Sequence, residues 1–124
     1  MIKRLKLTNF RKFKKYEVKF DKPLVVIHGD NTKGKSSILE AIYVLTNGHS
    51  PWGSNEDSYN YEQKNNENFR VEADIEIDGD LRTYAYFREG SKRVMQLDGS
   101  NTTSKKFFAG ISSTIFNPEL IEIL

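Results

Sequence analysis

One stretch limits this chain more than any other: Gly29-Asp30-Asn31-Thr32-Lys33-Gly34-Lys35-Ser36, which fits the pattern G-x-x-x-x-G-K-[ST]. The pattern has a physical meaning only between a strand and a helix, and both flanks comply. Upstream, Leu24-Val25-Val26-Ile27 is a β-branched-rich run without polar alternation, which predicts a strand buried on both faces of a sheet. Downstream, residues 37–46 place Ile38, Leu39, Ile42 and Leu45 at helical spacing, and Asn47-Gly48 supplies a stop. The plainer alternative, a glycine-bearing turn capped by serines, leaves this strand, loop and helix order unexplained.

The residue types suit a polyanion. Successive backbone N–H groups at a helix N-terminus, with the favourable end of the macrodipole, meet the charges of a triphosphate. Gly29 and Gly34 let the backbone come close, Lys35 reaches the β and γ phosphates, Ser36 offers a hydroxyl to Mg²⁺, and Ser37 adds a phosphate hydrogen bond. Lys33 has two open readings, phosphate contact or solvent exposure.

Composition narrows the rest. The chain has 124 residues, 37% hydrophobic and 29% charged, with eight Gly and three Pro, which predicts one folded domain over 1–124. Without cysteine, these residues hold no disulfide, thiolate metal site or cysteine nucleophile. The N-terminus lacks an uninterrupted apolar h-region, and no apolar run approaches the roughly 18 residues of a spanning helix. No membrane partner is therefore expected, and a cytoplasmic location fits.

Charge is segregated. Residues 1–22 carry nine Lys or Arg against Glu17 and Asp21, a local +7, whereas residues 53–80 carry nine acids against Lys64 and Arg70, a local −7. A basic arm can track phosphates, and solvated strand faces produce the same runs. Leu5 and Leu7 alternate with Lys6 and Thr8, Tyr16, Val18 and Phe20 alternate with Glu17 and Lys19, and a hairpin across 11–15 joins them. Residues 49–68 predict an exposed loop anchored by Trp52. Beyond it, Phe69, Val71, Ala73, Ile75 and Ile77 face inward and Asp78-Gly79 turns the chain. Strands over 81–88 and 93–97 complete a three-stranded antiparallel meander that Asp98-Gly99 ends. A short helix near Ser104, a strand over 113–116, and a helix from Asn117-Pro118-Glu119 with Asn as N-cap follow.

Taken together, LKLTNFRKF, GDNTKGKSSILEAIYVLTNGHS, FRVEADIEIDG and STIFNPELIEIL resemble the N-terminal part of an ABC-type ATPase head of the RecF/SMC group, over essentially the whole chain. Within the group the similarity is greatest to the RecF family. The resemblance implies an α/β P-loop NTPase lobe with an antiparallel β-meander, ATP and Mg²⁺ as cofactors, and residues 29–37 on the phosphates. That set is Gly29, Asn31, Thr32, Lys33, Gly34, Lys35, Ser36 and Ser37, with Lys35 and Asn117 catalytic and Ser36 and Asn117 on the metal. It also implies that Arg11 lies near the nucleotide, against a plainer reading as a strand-end arginine in a surface ion pair. Asn117 falls where relatives carry the Q-loop glutamine, although an N-cap explains it equally. Two residues depart from the group: Thr32 stands where most members have glycine, and Asn117 is one methylene shorter than Gln.

In that group the ABC signature, the Walker B acidic pair and the switch histidine lie beyond the corresponding segment. His28 and His49 are the only histidines here, and His28 reads as a packed polar residue at the end of the buried strand. The expectation is nucleotide binding without useful turnover alone, in a truncated head or a split one completed by a second chain. The resemblance further implies an ATP-dependent homodimer, double-stranded DNA and RecO/RecR-like mediators as partners. Two competing functions are a nucleotide-independent DNA-binding module and a P-loop small-molecule kinase; the β-meander after the first helix departs from a simple βαβ kinase core.

Overall fold

The computed structural model describes residues 2–11, 13–20, 33–48, 68–109 and 111, with backbone alone at 33–37 and 39. Strands β1 (Ile2–Phe10) and β2 (Phe13–Lys19) precede helix α1 (Lys33–Asn47). Strands β3 (Arg70–Ile77), β4 (Asp80–Glu89), β5 (Lys92–Leu97) and β6 (Ser100–Asn101) follow, then the short helix α2 (Ser104–Ala109). The expected strands at 24–27 and 113–116, all but the last residue of the expected loop at 49–68, and the helix from Asn117 lie outside the described residues.

The six strands form one antiparallel sheet in the order β2-β1-β3-β4-β5-β6. Its turns follow local chemistry. Asp78-Gly79 and Asp98-Gly99 carry positive φ at both central positions (52° and 84° in each), as a two-residue type I′ hairpin requires. Asp98-Gly99 therefore does not end the meander: it turns the chain into β6, and Leu97 pairs with Ser100. The β1–β2 hairpin is tighter than the expected 11–15 span, with Phe10 paired to Phe13 around Arg11 and residue 12.

One sheet face is apolar and carries the helices. Leu5, Leu7, Val71, Ala73 and Ile75 alternate inward as expected, with Phe69 and Tyr86 fully enclosed beside them. Ile77, at the strand end, is only half-buried. Strict alternation from Leu5 and Leu7 would send Phe10 to the opposite face. Asn9 adopts a left-handed backbone, φ 50°, and Phe10 returns to the core, edge-on to Phe69 at 5.9 Å between ring centres. Asn is among the few residues that tolerate this conformation at modest cost.

Helix α1 lays Ala41, Ile42, Val44 and Leu45 on that face, all with no exposed surface. It begins at Lys33, four residues before the expected start at Ser37. It stops where expected: Gly48, at φ 81°, donates its N–H to the Val44 carbonyl at 2.7 Å. The Gly48 carbonyl accepts the buried Tyr86 hydroxyl at 3.2 Å, tying the helix end to β4. Helix α2 adds Phe107, edge-on to Tyr84 at 5.4 Å. No described helix is long and apolar enough to cross a membrane.

Candidate functional site

The phosphate-loop pattern runs into α1. Because the helix starts at Lys33, the backbone of Gly34, Lys35 and Ser36 lies in its first turn and Ser37 follows directly. The first N–H groups of a helix have no intrahelical partners, and this turn contains no acidic residue to compete for them. The sequence thus aims a basic, glycine-bearing turn at whatever occupies the helix end. Gly29, Asn31, Thr32 and Asn117, and both histidines, lie outside the described residues.

Arg11 is the expected site residue whose side chain the structure describes. It sits in the turn after β1 with φ 53°, and its guanidinium forks onto Glu40 of α1. Nε donates to Oε1 at 2.5 Å and Nη2 to Oε2 at 2.7 Å, a bidentate charge-assisted pair. The Glu40 side chain is 2% exposed and that of Arg11 22%. The pair is therefore not the surface contact of the plainer reading but a bond from a hairpin turn to a buried helical carboxylate.

Sequence reasoning missed Glu40. A signal existed: Glu40 precedes Val44 by one helical turn, so an acid occupies a position on the apolar stripe of α1. Among the described residues, Glu40 and Thr46 are the buried polar side chains. Thr46 satisfies its hydroxyl on the Ile42 carbonyl at 3.0 Å, whereas Glu40 reaches across to another element.

The opposite sheet face resolves the charge segregation. Strand β1, from the basic segment, pairs directly with β3, from the acidic one. Arg4 donates from Nη2 to Glu72 at 2.7 Å and from Nε to Asp74 at 2.8 Å, and Lys3 lies 3.8 Å from Glu76. Thr83 donates its hydroxyl to Asp74 at 2.7 Å, and Arg70 donates to Glu72 at 3.1 Å while its guanidinium lies 4.4 Å from the centre of the Phe87 ring. The Arg4 hydrogen bond, against the opposing effect of burial and with help from Thr83, holds the Asp74 carboxyl below its ordinary range. For Glu72, burial pushes upward, and the hydrogen bonds from Arg4 and Arg70 outweigh it, leaving a net lowering. Much of the basic character of β1 is thus matched within the fold, while Lys6, Lys14, Lys15 and Lys19 remain exposed.

A family model described as AAA domain matches residues 4–121. The DNA replication and repair protein RecF of Clostridium kluyveri is 30% identical over 133 aligned residues, covering 99% of this chain and 34% of that protein. A solved structure of the recombination mediator protein RecF-ATP in the RecFOR pathway superposes with a TM-score of 0.72 at 27% identity, covering 84% of this chain and 29% of the other. The SMC head domain from Thermotoga maritima shares the fold, with a TM-score of 0.64 at 21% identity over 90% of this chain and 44% of that one. The chain spans about a third of the length of the RecF proteins it matches. The resemblance to RecF/SMC-type heads is borne out, and with it the α/β P-loop NTPase fold that it implies.

Proposed function

This chain belongs to the AAA domain family, and on that premise we propose that it is the ATP-binding N-terminal lobe of a RecF/SMC-like ATPase head. The observation that carries this reading is the start of α1 inside the phosphate-loop pattern, with Gly34, Lys35 and Ser36 in the first helical turn. The similarity to a solved RecF-ATP structure supports ATP as the nucleotide.

In this reading the amides of Gly29, Asn31, Thr32, Lys33 and Gly34 receive phosphate oxygens, Lys35 supplies a point charge at the β and γ phosphates, and Ser37 adds a hydrogen bond. Ser36 and Asn117 offer a hydroxyl and an amide oxygen, hard donors of the type Mg²⁺ prefers. Bound there, the ion would offset phosphate charge. Arg11, held beside α1 by Glu40, brings a further cation toward this end of the sheet. Turnover belongs to the assembled head, with a C-terminal lobe from the same gene or a second chain and an ATP-dependent dimer partner. That head couples nucleotide state to double-stranded DNA in repair or recombination, in the cytoplasm at the nucleoid, with RecO/RecR-like mediators as candidate partners.

A fluorescent-nucleotide titration at fixed Mg²⁺ tests the reading. Lys35→Ala is expected to weaken ATP binding by about a hundredfold, the scale of losing one charge-assisted phosphate contact. Equal affinity for the two proteins would refute it. The exposed lysines of β1 and β2 favour a second reading, a nucleotide-independent DNA-binding module, whose mark would be steeply salt-dependent DNA binding with no response to ATP.

A further inference from the structure

We propose that Glu40 is a positioning residue of the nucleotide site: through Arg11 it sets the helix that carries residues 34–36 against the β1–β2 turn. The inference rests on the phosphate-loop reading above and adds to it a residue that reading does not contain.

The argument starts from cost. Glu40 is 1% exposed among Ala41, Ile42, Val44 and Leu45, and an apolar residue there would pack without the desolvation penalty of a carboxylate. What a carboxylate supplies and an apolar side chain does not is direction. Two parallel N–H···O bonds, at 2.5 and 2.7 Å, fix both the distance and the rotation of α1 relative to Arg11. The anchor for Arg11 is itself rigid. Asn9 and Arg11 both hold left-handed backbones, at φ 50° and 53°, and Phe10 between them is locked into the core against Phe69. Strained backbone of this kind persists where its surroundings over-determine it.

Geometry then connects the pair to the site. Glu40 follows Ser36 by one helical turn on the same rigid element, so rotation or sliding of α1 at Glu40 is transmitted to the turn holding Gly34, Lys35 and Ser36. The far end of α1 is separately tied by the Tyr86 hydroxyl on the Gly48 carbonyl. The helix is therefore pinned twice: by a neutral bond to β4 at its end, and by a charged fork to the β1–β2 hairpin one helical turn beyond Ser36. Placement to within a fraction of an ångström is what a phosphate cradle needs.

The experiment measures ATP affinity and thermal stability for the wild type, Lys35→Ala, Glu40→Gln, Arg11→Lys and the Glu40→Gln/Arg11→Lys double variant, at a temperature where circular dichroism shows each folded. Glu40→Gln and Arg11→Lys are each expected to weaken ATP binding by about tenfold, and the double variant no more than either alone, because one fork is lost in all three. Affinity unchanged in Glu40→Gln, with Lys35→Ala still weakened, overturns the proposal while leaving the phosphate-loop reading intact. So does weakening in Arg11→Lys alone, which would mark Arg11 as acting without Glu40. Equal affinity of wild type and Lys35→Ala removes the phosphate-loop reading itself. Should Glu40→Gln fail to fold, the Arg11→Leu/Glu40→Leu pair replaces it. That apolar pair is expected to recover stability and not affinity, and recovery of both would reduce the fork to a structural contact.

Discussion

Arg4 stands within β1 and Arg11 in the turn that follows it, and each forks onto acidic side chains, yet they meet opposite surroundings. Arg4 lies on the open face of the sheet and divides its donors between Glu72 and Asp74, which are 18% and 22% exposed. Arg11 turns toward the helix-covered side and gives its Nε and Nη2 donors to one carboxylate that is nearly sealed from water. Water and dissolved ions screen the first arrangement, so removing a partner leaves the others solvated. In the second, removing the arginine takes the fork away from a buried carboxylate, where solvent screening is weak. One residue type thus serves a diffuse surface network within β1 and a directional clamp in the turn that follows it.

The sharpest way to break this comparison is Arg11→Ala. Urea unfolding is expected to show a loss of about 3 kcal/mol, the low end for breaking a buried ion pair, because Arg11 itself retains some exposure. A loss under about 1 kcal/mol would place Arg11 in the same class as Arg4. Next in size is Arg4→Ala, for which about 1 kcal/mol is expected, since Glu72 keeps Arg70 and Asp74 keeps Thr83.

The same variant sharpens the pH dependence. Glu72 and Asp74 have folded-state values below their ordinary ones, so their contribution is fully present above the unfolded values, about 4.5 and 3.8, and is lost as pH falls through the lower folded values. The urea midpoint of the wild type should therefore drop between pH 6 and pH 3, and Arg4→Ala should drop less. An equal drop in both would show that acid acts elsewhere. The smallest effect belongs to Arg82, whose 3.0 Å pair with Asp98 has both side chains about half exposed. Arg82→Ala is expected to change stability by no more than about 0.5 kcal/mol, and 1 M salt should erase the difference.

Much of this was legible residue by residue. The turns at Asp78-Gly79 and Asp98-Gly99 follow from the tolerance of Asp and Gly for left-handed backbone, although the brevity of β6 hid the strand beyond the second turn. The apolar period of α1 was equally readable. Its start was not: Lys33, Gly34, Lys35 and Ser36 have no apolar member, so hydrophobic spacing cannot report the first helical turn. Glu40 was overlooked for a related reason. An acid inside a helix ordinarily reads as solvent-facing, and its partner lies 29 residues earlier in another element.

The amino-acid order by itself therefore determined the local elements, the hairpin turns, the helix stop at Gly48 and the phosphate-loop pattern, because each depends on side chains within a few residues of one another. Only the tertiary structure decided that the basic β1 would lie beside the acidic β3, with Arg4 and Asp74 separated by 70 positions, and that Arg11 would find Glu40. Strand order and ion pairing across elements are settled by burial of one shared apolar face. That is a property of the whole folded chain rather than of any window along it.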